Sequence, residues 1–569
     1  MHMDTYVLRI DMPARRVTRA VAGESLAMLG GRGLIARVVL DEVKPGCDPL
    51  GRHNKLLIVP GVLGGTPAPC AGRISVGGKS PLTGGIKESN AGGVVGHKLA
   101  RLGVKALILE NKPDDARGLF TLVLAKDTVE LVPCPDLAGL GVYETAARLQ
   151  ERYGKRVGVM VIGPAGEMEL TAAGIAITDL DGEPGRYCGR GGMGALMGSK
   201  GIKAVVIDDS GTRAPEIRDK KKFLEAARAV IQLIRDTPQT AEVYRNWGTA
   251  ALVTTTNALG GLPTRNFSTG RFEGADRISA EALRELILAR GGLATHFCMP
   301  GCPIGCSNRV PRADGSDLVS PLEYETIGLL GSNCGIDDLD AIGEMNRLCN
   351  DLGVDTIDVG GAVGVAMEAG LVRFGDAAGA LELIREIGKG TVLGRVIGHG
   401  GALTARVLGV RRVPAVKGQV MAAYDPRGLK GLGVTFATSP MGADHTAGNT
   451  VRVQIDHHSP AGQVEASRNA QLSAAIYDML GVCMFVGPAV RDRIDLLGDL
   501  VSARLGVPCS AETIRALARQ TIMAEREFNR RAGFTSVHDR LPEHFVEEPN
   551  PATGTTFDVS DEEMDGMWD

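Results

Sequence analysis

The chain has 569 residues, enough for about three domains with large buried cores. Hydrophobic residues make up 44% of it and charged residues 23%, and the formal net charge is −4. This balance excludes the strongly basic surface that would attract nucleic acid or an anionic membrane. Residues 1–16 alternate charged and apolar side chains, unlike a signal peptide, and no run of about 18 apolar residues predicts a membrane span.

Cysteine usage indicates the compartment. The eleven cysteines, an odd number, are mostly scattered singly along the chain. Such a pattern is typical of buried thiols in a reducing cytoplasm rather than of a disulfide framework, so we expect a cytoplasmic protein. Glycine is abundant at 77 residues while aromatic residues reach only 4%. Many backbone segments are therefore expected to approach a ligand or another backbone closely.

Residues 1–208 are predicted to form a β-rich N-terminal domain. Short runs of apolar or alternating residues in this part of the chain are typical of strands, and clusters of glycine separate them. The predicted strands cover residues 6–10, 55–59, 106–109, 157–162 and 204–207.

The most distinctive glycine cluster runs from Gly72 to Gly93 and includes Arg73 and Lys79. It offers many free backbone N–H groups beside two cationic side chains. Such a surface suits an anionic ligand with several rings and phosphates. The alternative is a series of ordinary β-turns.

A second glycine cluster, from Gly189 to Gly194, matches the Gly-x-Gly-x-x-Gly pattern of dinucleotide-binding proteins, with Asp208 at the distance of a ribose-binding acid. Polar turn-forming residues precede it at 179–185, where a dinucleotide fold requires a strand. We therefore favour a helix N-terminus, continuing into residues 195–197, that points towards an anion. A nicotinamide-dependent dehydrogenase stays open as the alternative.

After the first domain the apolar spacing changes to that of helices, and we predict two mainly α-helical domains, 209–415 and 416–569. One helix is indicated along residues 223–234, and another along 280–289, which Ser279 can cap. The predicted fold class is therefore α+β, with a β-rich domain followed by two mainly helical ones.

Three cysteines stand within nine residues, at Cys298, Cys302 and Cys306, and the gaps between them are rich in Gly and Pro. Thiolates so close together in a tight loop are typical of an iron–sulfur cluster, whose fourth ligand can come from elsewhere in the chain. A structural zinc site usually has two separated pairs, and a disulfide would leave one thiol over. A radical-SAM site needs gaps of three and two residues, whereas this loop has three and three.

Two predicted helices end alike, at Asn350–Asp355 and at Asp478–Cys483: a polar residue, two others, Gly, Val, and then Asp or Cys. The glycine suits a left-handed helix C-cap, so each ending could be a simple stop signal. The repetition indicates more, namely one ligand held by two equivalent loops. In the second copy Cys483 is a candidate for the fourth cluster ligand.

Candidate acid–base residues follow the cysteine loop. Glu323 and Glu325 lie close enough to it to do proton transfer, although two acids at the start of a helix are an equally good explanation. His445 lies in a polar loop beside Asp444, where a surface histidine is the alternative.

Together these motifs resemble the aldehyde:ferredoxin oxidoreductases, which carry tungsten, or sometimes molybdenum, on two pyranopterin dithiolenes beside a four-iron, four-sulfur cluster. The resemblance runs nearly from end to end of the chain. The motifs that carry it, in chain order, are Gly30-Gly-Arg-Gly-Leu34, Lys79-Ser-Pro-Leu-Thr-Gly-Gly-Ile86, Ser89-Asn-Ala-Gly-Gly93, Gly189-Arg-Gly-Gly-Met-Gly194, the three clustered cysteines, Glu323-Tyr-Glu-Thr326, the two Gly-Val helix endings, and Phe528-Asn529 through Leu541-Pro542.

The resemblance implies roles for the matching residues. It implies an active-site acid at Glu325 and an active-site histidine at His445, and a magnesium ion that bridges the pterin phosphates through backbone carbonyls near Asn90 and Gly191. The implied cluster ligands are Cys298, Cys302, Cys306 and Cys483. The implied cofactor-binding residues are Arg73, Asn90, Gly92, Arg190 and Gly191 at the phosphates, and Asn350, Asp355, Asp478 and Val482 at the two pterins.

The chain departs from the family pattern at several positions. The first cysteine gap has three residues where the best-known members have two, and Asn350 stands where an Asp is usual. Ala447 occupies the position of an expected lysine. Some members bind an iron at a dimer interface through Glu-x-x-His, and this chain has Glu344-Met-Asn-Arg347 there, so that iron is not expected.

The activity that the resemblance implies is the oxidation of an aldehyde to the carboxylic acid. Glu325 would accept a proton from the attacking water or hydrate, and His445 would donate to the carbonyl oxygen. The expected electron acceptor is a ferredoxin or a ferredoxin-like subunit, and the expected assembly is a homodimer or a hetero-oligomer. Alternatives are a tungsten-dependent reductase of the benzoyl-CoA reductase type and a non-catalytic electron-transfer subunit.

Overall fold

The structure, a computed structural model, describes residues 5–113 and 118–569. Strands dominate as far as Ile207 and helices dominate from Lys220 onward, so the predicted α+β fold class is confirmed. The strands of the first part are β1 (Tyr6–Asp11), β2 (Arg16–Val21), β3 (Leu56–Pro60), β4 (Ile74–Lys79), β5 (Ile86–Ala91), β6 (Val104–Glu110), β7 (Phe120–Leu124), β8 (Val129–Pro133), β9 (Gly158–Val161), β10 (Ile175–Ile177), β11 (Arg186–Cys188) and β12 (Ile202–Ile207). Its helices are α1 (Gly31–Glu42), α2 (Val95–Arg101), α3 (Val142–Tyr153), α4 (Pro164–Glu167) and α5 (Met193–Ser199).

The second part is mainly helical. Its helices are α6 (Lys220–Asp236), α7 (Tyr244–Trp247), α8 (Leu252–Ala258), α9 (Ala280–Ala289), α10 (Tyr324–Thr326), α11 (Leu339–Leu352), α12 (Thr356–Glu368), α13 (Ala377–Lys389), α14 (Val392–Gly398), α15 (Gly401–Leu408), α16 (Lys430–Thr438), α17 (Gln463–Leu480), α18 (Gly487–Val490), α19 (Asp495–Leu505), α20 (Ala511–Arg531), α21 (Glu543–Glu547) and α22 (Asp561–Asp565). Its short strands are β13 (Leu293–His296), β14 (Ser307–Pro311), β15 (Asp317–Val319), β16 (Ala415–Val416) and β17 (Gln419–Val420).

The first part of the chain contains the same sheet twice. The first sheet has the strand order β2-β1-β6-β3-β4-β5, and the second, read from its far edge, has the order β8-β7-β12-β9-β10-β11. The parallel pairs are β1 with β6 and β7 with β12, at the same place in each sheet. Helices α1 and α3 follow the second strand of each half, and α2 and α5 follow the fifth. Sequence analysis missed this repeat, because it lies in the order of strand pairing rather than in a shared motif.

Local sequence signals located the elements well. Each predicted strand forms within about two residues of its expected bounds, since alternating or continuous apolar runs suit half-buried or buried strands. Helix α9 has the predicted bounds, and Ser279 caps it by accepting a hydrogen bond from the Ala282 N–H. Asp338 caps α11 in the same way, by accepting from the N–H groups of Asp340 and Ala341.

The helical part packs onto the sheets rather than standing apart. Helix α1 lies against α17 and α20, and one buried core cluster includes residues from Val62 to Trp568. Phe557 and Trp568 are buried, so the C-terminal tail wraps onto this core. The predicted divisions at residues 208 and 415 stay predictions. None of the helices in the described ranges is both long and apolar enough to cross a membrane.

Candidate active site

A cavity of about 1160 Å³ lies between the N-terminal sheets, the cysteine loop and the helical part. It is the place where most of the candidate residues meet. The candidate residues that line it are Arg73, Gly92, Cys298, Cys306, Glu325, Asn350, Asp355, His445 and Cys483. Asn90 and Arg190 hydrogen-bond to Arg73 and Asp355 of this lining, and Asp478 accepts from Asn90. Val482 and Cys302 are in the two segments that carry the lining cysteines, whereas Gly191 is not among the lining residues.

The cysteine triplet occupies the loop between β13 and β14, and a backbone bridge between His296 and Cys306 closes the loop. Cys483 follows α17 and caps a short turn that begins at Met484. Cys298, Cys306 and Cys483 line the same cavity, and Cys302 lies between the first two in the loop. The structure thus brings the distant Cys483 to the triplet.

The four cysteines stay candidate ligands of an iron–sulfur cluster. Among the described residues no group of three or more Cys, His, Asp or Glu side chains converges tightly enough to hold one metal ion. A cluster of four iron atoms holds its thiolates further apart than one zinc ion does. Burial raises the pKa of Cys298, Cys306 and Cys483, so these thiols need a cation beside them in order to ionise.

A fifth cysteine, Cys70, joins the two segments that carry the sulfurs. Its N–H donates to the Gly301 carbonyl at 3.1 Å, and its carbonyl accepts from the Cys483 N–H at 2.9 Å. Its thiol hydrogen-bonds the sulfur of Cys302 and lowers the pKa of that residue. Cys70 is fully buried and has a left-handed φ of 54°, which is unusual for a residue with a side chain. Sequence analysis counted it only among the scattered thiols, and no local signal marks it.

The two helix endings have the same backbone geometry. Gly353 and Gly481 have φ of 74° and 72°, and each is the left-handed C-cap that the sequence predicted. In each, the following Val N–H donates at 2.9 Å to a carbonyl five residues back, that of Cys349 or of Tyr477. Helix α11 therefore ends in a loop equivalent to the one that ends α17.

Each ending rests on the matching place of one sheet repeat. Gly61, just after β3, lies so close to Gly481 that a Cβ atom there would be 2.1 Å from the Gly481 nitrogen. Gly163, just after β9, lies equally close to the other ending, and its Cβ atom would be 2.3 Å from the Leu352 carbonyl oxygen. The structure therefore has two equivalent loops on two equivalent sheets, and we call this arrangement the cradle.

Around the second ending, Arg73 joins the cysteines to the cradle. Its guanidinium donates to the backbone and side-chain oxygens of Asn90 and lies beside Cys483. Asn90 in turn donates to Asp478 at 3.0 Å, and Asp478 also accepts from the buried Arg32 at 3.4 Å. Gly92 lies against the triplet, because a Cβ atom there would be 3.1 Å from the Cys298 sulfur.

Around the first ending, Arg190 takes the central position. It donates to Asp355 at 3.1 Å and to the Ala443 carbonyl at 2.7 Å. Asp355 occupies the place that Cys483 has in the second ending, and it caps α12. Asn350 donates to the Tyr143 hydroxyl at 3.2 Å, where the second ending has the ion pair of Asp478 and Arg32. Asn350, which stands where the family usually has an Asp, therefore has an uncharged partner, the Tyr143 hydroxyl.

One expectation for the glycine clusters is corrected, and the other agrees with the structure. Lys79 does not face the cavity, because its buried ammonium donates to the carbonyls of Pro45 and Cys47. The stretch that contains it forms strands β4 and β5 rather than a loop of free N–H groups. The Gly189–Gly194 segment leads into α5, as expected, and it follows the short antiparallel edge strand β11 rather than the parallel strand of a dinucleotide fold. The Gly191 carbonyl accepts from the Ser80 hydroxyl at 2.7 Å.

Glu325 and His445 meet across the cavity. The His445 Nε2 atom lies 3.4 Å from Glu325 Oε1, while Glu325 Oε2 accepts from the Ala423 N–H at 2.8 Å. Glu325 lies in α10, which continues into a π-helical turn at Ile327–Gly331, a distortion frequent at functional sites. Glu323, by contrast, accepts from the Thr249 hydroxyl, and burial raises its pKa. Both acids therefore line the cavity, but they have different partners.

A buried ion-pair network lies beside the Nδ1 atom of His445. Asp444 pairs with the fully buried Lys87 and lies 4.0 Å from the Arg190 guanidinium. Burial alone would raise the pKa of Asp444, but Lys87 and Arg190 hold it well below its ordinary value. The Nδ1 atom of His445 lies 3.8 Å from Asp444 and has no hydrogen-bond partner among the described residues. Sequence analysis missed Lys87, whose partner lies more than 350 residues away.

A duplicated sheet cradle, four cysteines beside one cavity and an acid–histidine pair are the features expected of an oxidoreductase that binds a pterin cofactor. The chain belongs to the aldehyde ferredoxin oxidoreductase family: residues 7–209 match the model of its N-terminal domain and residues 225–569 match that of its domains 2 and 3.

Individual relatives agree with this assignment. The chain is 35% identical to the tungsten-containing aldehyde ferredoxin oxidoreductase of Thermococcus kodakarensis, over 96% of this chain and 91% of the relative. It is 34% identical to that of Pyrococcus abyssi over 96% and 92%. A sulfonate oxidoreductase WOR-like subunit of Pyrococcus furiosus is 26% identical over 87% and 81%.

A solved structure, the active-site complex BamBC of benzoyl coenzyme A reductase, superposes with a TM-score of 0.82, covering 99% of this chain and 93% of that one. Its sequence identity is 18%, so this similarity shows the fold alone.

Proposed function

We propose that this protein oxidises an aldehyde to the carboxylic acid at a tungsten or molybdenum bis-pyranopterin centre and passes the electrons through a four-iron, four-sulfur cluster to a ferredoxin. The observation that carries the proposal is that Glu325 and His445, 3.4 Å apart, open onto the same cavity as Cys298, Cys306 and Cys483. Family membership and the tungsten-containing relatives support it.

The residues fit both cofactors. The duplicated cradle suits two pterins of the same kind. Asn350 and Asp355 would bind one, and Asp478 and Val482 would bind the other. Gly92 leaves room beside the Cys298 sulfur that a larger residue would fill. Cys298, Cys302, Cys306 and Cys483 would hold the cluster, Arg73, Asn90, Arg190 and Gly191 would surround the pterin phosphates, and Mg²⁺ would bind near the carbonyls of Asn90 and Gly191.

When bound, the metal–pterin centre supplies a two-electron acceptor and the cluster supplies a one-electron exit. The chain itself supplies the proton chemistry. Glu325, oriented by the Ala423 N–H, accepts a proton from the water or hydrate that attacks the aldehyde. His445 donates from Nε2 to the carbonyl oxygen and so stabilises the negative charge that develops there. The Asp444 carboxylate lies 3.8 Å from Nδ1, the other nitrogen of the ring.

The direct test is Glu325→Gln in protein purified without oxygen, assayed by aldehyde-dependent reduction of benzyl viologen. We expect turnover to fall by about 10²–10⁴-fold, because general acid–base catalysis contributes that much, while iron and tungsten contents stay unchanged. Glu323→Gln is the matched control and should keep most of the activity, since that acid is held by Thr249. Full activity in Glu325→Gln would refute the assignment of the acid.

A second assay separates the reductive alternative. If the protein oxidises aldehydes, it should not reduce an aromatic thioester with reduced viologen as electron donor. Reduction of the thioester without any oxidation of aldehydes would overturn the proposal. Metal analysis should find tungsten or molybdenum with about four irons per chain. A cytoplasmic location and a homodimeric or hetero-oligomeric state stay predictions.

A further inference from the structure

The surface beside the cysteine loop carries exposed apolar side chains and two arginines. Several of the large exposed hydrophobic side chains in the described part of the chain are found here: Trp247 and Phe297, each 37% exposed, Leu293 at 47% and Leu288 at 54%. Arg245 and Arg284 lie among them. We call these six residues the cluster-loop patch.

Direct contacts make the patch continuous. The Arg245 guanidinium lies 6.0 Å from the centre of the Phe297 ring, and that of Arg284 lies 5.6 Å from the Trp247 ring. Arg284 also donates to the Asn246 carbonyl at 2.9 Å. Leu288 follows Arg284 by one helical turn on α9 and so extends the same face.

The patch is attached to the cysteine loop itself. Arg245 donates to the Pro303 carbonyl at 3.3 Å, between Cys302 and Cys306. A Cβ atom on Gly248, next to Trp247, would lie 2.7 Å from the Cys306 carbonyl oxygen. Gly301 in the same loop is exposed. The cysteine loop therefore reaches the protein surface inside this patch.

The two arginines of the patch donate to backbone carbonyls rather than to carboxylates. Neither Arg245 nor Arg284 forms an ion pair with any residue in the described ranges, although Glu281 and Glu285 lie on the same helix as Arg284. Arginine and aromatic side chains are the residues that most often anchor protein interfaces. An apolar centre with two arginines that form no ion pair within the described ranges suits a partner whose own contact face carries carboxylates.

We infer that the cluster-loop patch is the docking surface of an acidic ferredoxin, which receives electrons from the cluster held by the cysteine loop. The inference rests on the proposed function only in requiring that electrons leave through this cluster. The contact is a small, transient one, as is usual for redox partners, in which carboxylates of the ferredoxin pair with Arg245 and Arg284 while Trp247 and Phe297 exclude water. One electron passes per encounter, from the reduced cluster of this protein to the oxidised cluster of the ferredoxin.

The test measures this transfer without any aldehyde. Dithionite-reduced holoenzyme is mixed in a stopped-flow instrument with an excess of an oxidised, acidic ferredoxin, and the oxidation of the enzyme's cluster is followed by its visible absorption. The double variant Arg245→Glu with Arg284→Glu should lower the second-order rate constant by about tenfold or more at low ionic strength. The difference should shrink at 0.5 M NaCl, because salt screens the interaction.

Matched controls separate docking from damage. Arg406→Glu with Arg411→Glu makes the same change in net charge on exposed arginines of α15 and the loop after it, and it should leave the rate constant at the wild-type value. Trp247→Ala should lower the rate constant even at high salt, since it removes the apolar centre. Iron content and the oxidation of the reduced cluster by benzyl viologen should be normal in all variants.

An unchanged ferredoxin rate in the Arg245→Glu, Arg284→Glu variant with its iron intact would overturn the inference. So would a change of native mass by light scattering without a change of ferredoxin rate, because the patch would then be a contact between copies of this chain. Failure of aldehyde oxidation in the wild type would refute the proposed function but leave this measurement valid.

Discussion

Gly61 and Gly163 support the two helix endings, and their substitution should affect the two halves of the site differently. Gly61→Ala would place a Cβ atom 2.1 Å from the Gly481 nitrogen, and Gly163→Ala would place one 2.3 Å from the Leu352 carbonyl oxygen. Ordinary van der Waals contact begins near 3.4 Å, so each ending must move away by about 1 Å. Both obstacles are backbone atoms, which no change of rotamer relieves.

The consequences differ because only one ending carries a cysteine. In Gly61→Ala the moving segment includes Cys483, and a cluster ligand must be held within about 0.5 Å of its place. We expect iron content to fall well below four per chain, and tungsten content to fall with it. In Gly163→Ala the moving segment ends at Asp355, so we expect tungsten or molybdenum to be lost while the iron is retained. Each substitution should also cost about 1–3 kcal/mol of stability through overpacking.

The assay is metal analysis of protein purified without oxygen, together with the visible absorption of the cluster. Gly46→Ala is the control, because nothing lies within 4 Å of a Cβ atom at that position. A full complement of iron in Gly61→Ala would refute the reasoning. An identical loss of iron from both glycine variants would refute it as well, since the asymmetry between Cys483 and Asp355 would then have no effect.

Three further outcomes follow from particular contacts. Cys70→Ala should keep four irons per chain but lower the reduction potential of the cluster, measured by redox titration. Removing a hydrogen bond of about 1 kcal/mol to the Cys302 sulfur corresponds to roughly 40 mV. Cys134→Ala is the control and should leave the potential unchanged. Lys87→Met should lower the free energy of unfolding by about 3 kcal/mol, because it leaves Asp444 buried with Arg190 alone, and an unchanged thermal midpoint would contradict this. Burial lowers the pKa of His544 to about 3, so the unfolded chain binds a proton below pH 6.5 that the folded chain does not. This residue should therefore cost about 2 kcal/mol of stability as pH falls from 7 to 5, and His544→Gln should remove that part of the acid sensitivity of the apparent thermal midpoint.

Much of the local structure is determined by the sequence itself. The strands, the caps of α9 and α11, and the left-handed glycines at Gly353 and Gly481 all follow from residues within about one turn of the element they define. The cysteine triplet is equally local, since three ligands in one loop need no long-range contact. For this reason the fold class and the cysteine loop can be predicted from local sequence, whereas the roles of Glu325 and His445 came from the family resemblance.

Only the tertiary structure decides which distant segments meet. The link of Cys70 to both Gly301 and Cys483, the pairing of Lys87 with Asp444, and the duplication of the sheet join residues that no periodicity connects. Lys79 is a case in which the local sequence was misleading. Its glycine-rich neighbours suggested an anionic ligand, but its buried ammonium donates to two backbone carbonyls. Burial and partner choice depend on how the sheets and helices close around the cavity, and the free energy of that closure is shared among contacts far apart in the sequence.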